Sequence, residues 1–334
     1  MEKAVADLLK PGHLTEAAAY WGGKGEDLEL LGEVENFVYR FRPPGNDLIL
    51  RLTHSSHRTP DQVRGELDWM DHLYRHGVNI AQPIPSSNQR FVEVIPARGS
   101  KFIATVFERA PGVPPSRQDP EIWNQDLFRE WGRTIGRMHA ATKSYTYNDP
   151  AIKRDEWYQE DMIVNAIRYL PPSEGAALLE LANCVHWLSG LPQNTDCYGM
   201  VHTDVHGGNF FYHEGRLTVF DFDDACYNWF AYDIAMPIYY TLLGFPVDAK
   251  EEQAEFMRKF FPAYIGGYFE ENAIDHFWIE QLPKFLQFRD RILHVFAYKK
   301  FDMENLTERQ EIFLNRMRAS VGVENAFGHL DLGV

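Results

Sequence analysis

A short stretch just past residue 200 collects side chains that could bind a metal ion and act on a bound group. Asp204 and Asn209 lie in one segment, and Asp221 follows twelve residues after Asn209. Residues 210–220 have the composition of two short strands joined by a turn at residues 213–215. Antiparallel pairing about that turn would bring Asn209 beside Asp221, where an amide oxygen and a carboxylate can hold a hard cation such as Mg²⁺. Asp204 would then lie close enough to act on a group bound at the metal.

The segment resembles the catalytic loop of the kinase-like phosphotransferases, in particular the aminoglycoside phosphotransferase and choline kinase branch. That branch carries the pattern His-x-Asp-x-x-x-x-Asn and then an Asp-Phe or Asp-Leu metal site. Four residues of this chain fill those places: His202, Asp204, Asn209 and Asp221. Protein kinases carry His-Arg-Asp and Asp-Phe-Gly instead, so the small Thr203 is more similar to the small-molecule branch. The resemblance implies that Asp204 is the general base and that Asn209 and Asp221 bind Mg²⁺.

The same resemblance implies an ATP site in the first third of the chain. Its phosphate loop would be residues 32–39, which include Asn36. Arg51 stands where kinases keep a phosphate-binding lysine, and Glu66 matches the acid that orients that cation. Arginine departs from the usual lysine, but it stays charged and can bind phosphate through two hydrogen bonds. The alternative is an arginine on an edge strand paired with a surface glutamate.

Further roles follow from the resemblance. Adenine would bind at a hinge formed by Phe107, Glu108 and Ala110, mainly through backbone groups. His202 is expected to hold the catalytic loop by hydrogen bonding. Asp233 matches an acid that supports this loop in the branch, so it would fix the position of Asp204 through contacts with the loop.

Several neighbouring polar residues permit more than one interpretation. Asp223 and Asp224 could reach a second metal ion, be solvated, or form salt bridges to the helical lobe. His206 could line the acceptor site or serve only as a polar loop residue. His202, Asp204 and His206 alternate along the chain, so they could also share a face as ligands of a hydrolytic transition metal. No distant His/Cys cluster completes that set, and the kinase interpretation explains more residues.

The elements around these residues predict two lobes. The first third contains four strand-like runs: Asn36–Arg42, Asp47–Thr53, Phe91–Ala97 and Phe102–Arg109. Residues 59–76 have apolar side chains at helical spacing, with Pro60 at the first turn and Gly77 just past the end. Residues 110–115 are rich in proline and glycine, which suits a stiff link between lobes.

Beyond this link the pattern is mainly helical. Seven helices are predicted, at Leu127–Thr142, Asp155–Leu170, Ser173–Leu188, Trp229–Leu243, Glu251–Phe269, His276–Lys299 and Thr307–Val321. We therefore expect an α+β protein with the two-lobed protein-kinase-like fold, a small β-rich N-lobe and a large helical C-lobe. The expected bounds are 1–109 for the N-lobe, 110–115 for the hinge and 116–334 for the C-lobe.

Composition excludes some classes of partner. A net charge of −15 argues against general binding to nucleic acid or to anionic membranes. Three cysteines without metal-type spacing favour free thiols in a reducing cytoplasm: Cys184, Cys197 and Cys226. The first residues lack a signal-peptide pattern, and the apolar segment 234–247 is too short to span a bilayer. We expect a soluble cytoplasmic protein, and the oligomeric state stays open.

The leading hypothesis is an ATP- and Mg²⁺-dependent phosphotransferase. It would move the γ-phosphate to a hydroxyl of a small molecule, such as an aminoglycoside, an amino alcohol, homoserine or a sugar. The alternatives are a bacterial protein Ser/Thr kinase and a non-catalytic nucleotide-binding regulator, the latter suggested by Arg51. Eight residues are candidates for the acceptor wall: Trp157, Tyr158, Trp229, Tyr239, Tyr240, Phe288, Arg289 and Asp290.

Overall fold

A computed structural model of the chain describes residues 3–246, 248–323, 326–330 and 332. The chain forms two compact units. The smaller unit contains the residues up to Pro111 together with Tyr145–Arg154 and Thr218–Asp223. The larger unit contains Gly112–Ser144, Asp155–Leu217 and the chain from Asp224 onward. The lobe bounds given above stay a prediction.

The smaller unit is built on one antiparallel sheet. Its helices are α1 (Lys3–Ala6), α2 (Pro11–Ala19) and α3 (Pro60–Arg75). Its five complete strands are β1 (Glu29–Gly32), β2 (Phe37–Phe41), β3 (Leu48–His54), β4 (Glu93–Ala97) and β5 (Ser100–Glu108). The strand order is β1-β2-β3-β5-β4, so β3 is the central strand. The four strands predicted from sequence are confirmed as β2 to β5, and β1 is additional.

Helix α3 begins and ends where its sequence signals predict. The Thr59 hydroxyl accepts a hydrogen bond from the Gln62 amide at 3.2 Å, and the Gln62 side chain accepts one from the Thr59 amide at 2.9 Å. Gly77, just past the end, has a φ of 82°, the left-handed conformation that glycine adopts without strain. The buried face includes Val63, Leu67 and Met70 at helical spacing. Glu66 lies on that same face and is buried with it.

The larger unit is mainly helical. Its helices are α4 (Gln125–Thr142), α5 (Asp161–Val164), α6 (Ala166–Tyr169), α7 (Gly175–Ser189), α8 (Phe230–Leu242), α9 (Lys250–Glu271), α10 (His276–Glu280), α11 (Leu282–Lys300) and α12 (Glu308–Ala319). The remaining strands of the chain are β6 (Tyr198–Val201), β7 (Phe210–His213), β8 (Arg216–Val219) and β9 (Cys226–Trp229). Strand β6 pairs with β9, and β7 pairs with β8. The predicted hairpin is therefore confirmed, and so is the α+β class.

Two predicted helices differ from the structure. The segment Asp155–Leu170 contains a 3₁₀ turn at Trp157–Gln159 and the short helices α5 and α6 in place of one long helix. Its start is extended at Glu156, and the Tyr227 amide of β9 donates to the Asp155 carbonyl at 2.9 Å. The segment His276–Lys299 is interrupted at Gln281. Pro283 has no amide hydrogen to continue the ladder of helical hydrogen bonds, which explains the interruption.

Helices α4 and α9 pack closely through glycines. The position of a Cβ on Gly267 would overlap the carbonyl oxygen of Arg129, and one on Gly132 would overlap the carbonyl oxygen of Tyr264. The exposed Gly266, by contrast, has no atom within 4 Å of a Cβ position. The two neighbouring glycines of α9 therefore differ in what they contribute to the fold.

We expect opposite effects from alanine at these two positions. Gly266→Ala should stabilise the protein by about 0.5–1 kcal/mol, because alanine is the better helix former. Gly267→Ala should destabilise it by about 1–2 kcal/mol net, because the overlap with α4 outweighs that gain. Urea unfolding of the two variants against the wild-type protein measures both changes. Equal midpoints for the two variants would contradict the close approach of the helices.

The structure bears on two expectations drawn from composition. Cys184 and Cys197 are buried, Cys226 is partly buried, and none of the three forms a disulfide. Within the described ranges, none of the helices has the length and apolar character needed to cross a membrane.

Candidate active site

The backbone of the predicted catalytic loop is held by Asp233. This aspartate lies in the first turn of α8, where the helix dipole favours a carboxylate. It is fully buried and accepts hydrogen bonds from the amides of His202 at 3.1 Å and Thr203 at 2.6 Å. The His139 imidazole of α4 contacts it at 3.2 Å. Burial lowers the pKa of His139 even though Asp233 opposes that change, so the imidazole is neutral at pH 7.

Thr203 has a strained backbone conformation. Its φ is 68°, in the left-handed region that β-branched residues rarely occupy. Its hydroxyl donates to the Asp224 carbonyl at 3.1 Å, in addition to the amide bond to Asp233. These bonds hold a turn that the isolated chain would not adopt, and such strain is concentrated at functional sites. Asp204 is the next residue, so the turn determines where its side chain points.

We expect Asp233→Asn to disturb this loop. The asparagine amide group presents only one oxygen, so at least one buried amide of the loop loses its acceptor, at a cost of about 1–3 kcal/mol. The resulting displacement of Asp204 should lower kcat for phosphoryl transfer about 10–100-fold. Steady-state kinetics and urea unfolding measure the two effects. Asp196→Asn, at an exposed aspartate, is the matched control, and an equally small effect of both variants would contradict the role of Asp233.

The Asp204 carboxylate receives three hydrogen bonds and is contacted by one imidazole. The Arg289 guanidinium and the Tyr240 hydroxyl donate to Oδ1, each at 2.6 Å. The Asn209 amide nitrogen donates to Oδ2 at 3.0 Å, and His206 Nε2 contacts the same oxygen at 3.3 Å. Burial raises the pKa of Asp204, but His206, Arg289 and Tyr240 together outweigh it and lower the pKa to about 2. Asp204 is therefore an anion at neutral pH and a weak base, better suited to orienting a hydroxyl than to removing its proton early.

The Asn209 amide group is oriented by Asp204. Its nitrogen donates to both the backbone carbonyl and Oδ2 of Asp204, each at 3.0 Å, which turns the amide oxygen away from the carboxylate. Asp221, the second predicted metal ligand, is exposed and has a φ of 64°, which aspartate tolerates better than most residues. Asn209 belongs to the larger unit and Asp221 to the smaller one. Their joint binding of a metal ion stays a prediction.

In the smaller unit, Arg51 and Glu66 form a buried two-point ion pair. The two guanidinium nitrogens donate to the two carboxylate oxygens at 2.8 and 2.7 Å. Burial by itself would lower the pKa of Arg51, but Glu66 outweighs it and the pKa is raised. The Phe107 ring lies 5.1 Å from the guanidinium carbon. The alternative of an edge-strand arginine with a surface glutamate is wrong, because β3 is the central strand and both side chains are buried.

The other predicted nucleotide residues have distinct surroundings. Asn36 lies in the turn between β1 and β2, and its buried amide oxygen has no hydrogen-bond partner within the described part of the chain. The Glu108 amide donates to the Gln82 carbonyl at 2.8 Å, so this amide hydrogen is not available to a nucleotide. The Ala110 amide, in contrast, makes no hydrogen bond to any described residue. Among the hinge residues it is the available donor.

Three basic residues of the smaller unit contact Asp223. His57 Nε2 contacts its carboxylate at 2.6 Å, Arg58 Nε lies 3.7 Å from it, and Arg154 donates to its backbone carbonyl at 2.5 Å. Burial raises the pKa of Asp223, but Arg58 and His57 outweigh it and lower the pKa. These contacts come from the smaller unit and not from the helical lobe, to which a salt bridge was expected. Binding of a second metal ion by Asp223 stays an open alternative. The spacing of His57, Arg58 and Arg154 in the sequence gives no indication of these contacts.

Comparison with known proteins assigns the family. The sequence model of the phosphotransferase enzyme family matches residues 27–289. The chain belongs to the phosphotransferase enzyme family. It is 36% identical over 309 residues to the amicoumacin kinase of Bacillus subtilis (strain 168), an alignment that covers 92% of this chain and 90% of the relative. This phosphotransferase is therefore a kinase, and the hypothesis of a non-catalytic regulator is not retained.

Solved structures agree with this assignment. The structure of amicoumacin kinase hAmiN in complex with AMP-PNP, Ca²⁺ and Ami superposes with a TM-score of 0.89 at 35% identity, over 96% of each chain. A microcompartment-associated aminopropanol kinase has a TM-score of 0.72 at 20% identity, which shows the shared fold alone. The kinase-like fold predicted from sequence is confirmed.

The candidate acceptor-wall residues of this phosphotransferase divide into two groups. Tyr240 and Arg289 contact Asp204 directly. Most of the others are part of the buried interior of the larger unit: Trp157, Trp229, Tyr239, Phe288 and Asp290. Sequence spacing could not separate the groups, because α8 carries both Tyr239 and Tyr240 and α11 carries Arg289 together with Phe288 and Asp290.

Proposed function

We propose that this phosphotransferase transfers the γ-phosphate of ATP to a hydroxyl group of a small molecule. The observation that carries the proposal is the environment of Asp204, a charged carboxylate fixed by three hydrogen bonds and a contact with His206, in a loop that Asp233 holds. Phosphoryl transfer depends mainly on positioning and electrostatic stabilisation, and a carboxylate held in this way supplies the positioning.

The roles of the residues follow from their chemistry. Asp204 accepts a hydrogen bond from the acceptor hydroxyl and receives its proton as the bond from the hydroxyl oxygen to the γ-phosphorus forms and ADP leaves. Arg51, kept in place by Glu66, is the cation for the phosphates of ATP. The buried amide of Asn36 and the Ala110 amide are the polar groups available for the nucleotide.

Asn209 and Asp221 are the proposed ligands of Mg²⁺. Both offer the oxygen donors that this ion prefers, and the contact of the Asn209 nitrogen with Asp204 leaves the amide oxygen for a cation. When bound, Mg²⁺ neutralises charge on the phosphates of ATP. The Ca²⁺ and AMP-PNP bound by the amicoumacin kinase hAmiN support a divalent cation and an adenine nucleotide for this chain as well.

For the acceptor, amicoumacin is the first candidate. The support is the similarity to amicoumacin kinases over nearly the whole chain, both in sequence and in structure. The similarity to amicoumacin kinases favours a small-molecule acceptor over a protein, so the protein-kinase alternative is not carried further.

An acceptor panel tests the proposal. Purified protein with ATP and Mg²⁺ is incubated separately with amicoumacin, homoserine, an amino alcohol, an aminoglycoside and a sugar, and ADP release is followed. We expect release above the acceptor-free rate with amicoumacin, a product heavier by one phosphoryl group, and loss of both signals with EDTA. Incorporation of labelled phosphate into protein but into none of these acceptors would contradict the small-molecule function.

A further inference from the structure

A buried arginine contacts the proposed base. The Arg289 side chain, on α11, is only 10% exposed, and its Nη2 donates to Oδ1 of Asp204 at 2.6 Å. The same nitrogen donates to the Tyr240 hydroxyl, and Nη1 donates to the Tyr232 hydroxyl at 3.4 Å. Tyr232 and Tyr240 are eight residues apart on α8, so they share one stripe of that helix, and both hydroxyls contact the guanidinium.

Three of the hydrogen-bonding sites of the Asp204 carboxylate are occupied. A carboxylate offers about four lone-pair sites, and Arg289 and Tyr240 donate to Oδ1 while Asn209 donates to Oδ2. The fourth site is on Oδ2, the oxygen that the His206 imidazole contacts at 3.3 Å. An acceptor hydroxyl that uses this site must therefore displace the imidazole.

The neighbours of Asp204 differ in how tightly they are held. Arg289 and Tyr240 hold Oδ1 at 2.6 Å, and Arg289 is nearly inaccessible to solvent. Asn209 is bound to the backbone of Asp204 as well as to its side chain. His206 has the longest contact, 3.3 Å, and its side chain is 28% exposed. It is the group beside Oδ2 that an acceptor can displace at the lowest cost.

We propose that Arg289, together with Tyr240, is a positioning residue that fixes Oδ1 of Asp204, so that Oδ2 receives the acceptor hydroxyl in the place of the His206 imidazole. This inference rests on the proposed function. It gives the two oxygens of Asp204 different roles: Oδ1 is held by the protein, and Oδ2 binds the acceptor. It also assigns a role to Arg289, which is 85 positions from Asp204 in the sequence.

Arginine is suited to this role and lysine is not. The guanidinium reaches Asp204 and Tyr240 from one nitrogen and Tyr232 from another, and its carbon lies 5.3 Å from the centre of the Tyr240 ring. A lysine would retain the charge but not the planar group that contacts both tyrosines. Arg289→Lys therefore separates charge from geometry, and Arg289→Gln removes both.

The test compares two neighbouring arginines of α11. Arg291 is also buried but pairs with Asp290 and Glu180, not with Asp204, so Arg291→Gln and Arg291→Lys are matched controls. We expect Arg289→Gln to lower kcat about 100-fold and Arg289→Lys about 10-fold, with KM for ATP unchanged, because only the orientation of the base is affected. The Arg291 variants should change the urea midpoint but leave kcat within about threefold of the wild-type value.

A second variant tests the displaced donor. His206→Ala should lower KM for the acceptor, because the hydroxyl no longer competes with the imidazole for Oδ2. Urea unfolding of every variant establishes the conditions under which it is folded, and all kinetics are measured there.

The outcomes separate this inference from the proposed function. An Arg289→Gln variant with a kcat within threefold of wild type, or with the same loss as Arg291→Gln, would overturn the positioning role while the phosphotransferase activity stands. A raised KM for the acceptor in His206→Ala would overturn the assignment of Oδ2. A wild-type protein that phosphorylates no acceptor would overturn the proposed function, and this inference with it.

Discussion

Replacing Asp204 by asparagine is expected to lower kcat for phosphoryl transfer by about 10²–10⁴-fold while ATP binding is retained. Asparagine is nearly the same size, so the loop can keep its course. It cannot receive the acceptor proton, however, and it attracts the hydroxyl less strongly than a charged carboxylate does. Single-turnover kinetics with a saturating acceptor measure the loss, and equilibrium binding of an ATP analogue tests whether the nucleotide site is intact.

The same substitution removes the charge partner of Arg289. A guanidinium that is only 10% exposed would lose its ion pair, so Asp204→Asn should also destabilise the protein by about 1–3 kcal/mol. The double variant Asp204→Asn/Arg289→Gln removes both partners and should regain most of that stability without regaining activity. Activity near the wild-type level in a folded Asp204→Asn variant would show that Asp204 is not the base.

Much of the fold could be predicted from sequence because its signals are local. Helix α3 is an example: Thr59, Pro60 and Gly77 mark its ends, and its apolar spacing identifies the buried face that carries Glu66. The hairpin of β7 and β8 is another, because the turn and the two strands lie within eleven residues. Local signals were also sufficient for the resemblance that identified the family.

Two of the strands that were not predicted, and the break in one predicted helix, depend on distant contacts. Strands β6 and β9 each have only four residues and exist because they pair with each other across more than twenty residues. The helix predicted at Asp155–Leu170 is broken because its start pairs with β9, and Asp161 in α5 binds Lys299 at 2.8 Å. Such contacts override the helical tendency that the periodicity of the segment indicates, and no local sequence pattern predicts them.

The candidate site shows the same division. The types and spacing of Asp204 and Asn209 indicated their chemistry, whereas the partners of Asp204 come from α8 and α11. Tyr240 and Arg289 were among eight candidates for the acceptor wall, but helical spacing alone could not show that these two contact the base. Tertiary packing selects them, because it places one face of α8 against one face of α11 beside the loop.

The second large effect is expected at the buried ion pair of the smaller unit. Glu66→Gln leaves the Arg51 guanidinium, which is 4% exposed, without its counter-charge. Removing one partner of a buried pair typically costs about 3–5 kcal/mol, so the urea midpoint should fall sharply. The affinity for ATP should fall as well, because Arg51 loses the group that holds it on the sheet. Arg51→Lys should destabilise the protein less than Glu66→Gln does, since a single ammonium retains the charge but only part of the two-point contact.

A double variant separates the structural role of this pair from its role in binding phosphate. In Arg51→Met/Glu66→Met both charges are replaced by apolar groups, so no buried charge is left unpaired and stability should return close to the wild-type value. Calorimetric titration with an ATP analogue then measures the contribution of Arg51 to nucleotide affinity, without a change in stability. If Arg51 is the phosphate cation, the stable double variant binds the analogue far more weakly than the wild-type protein. Wild-type affinity in that variant would mean that the pair only stabilises the sheet, and the cation for the phosphates would have to be sought elsewhere.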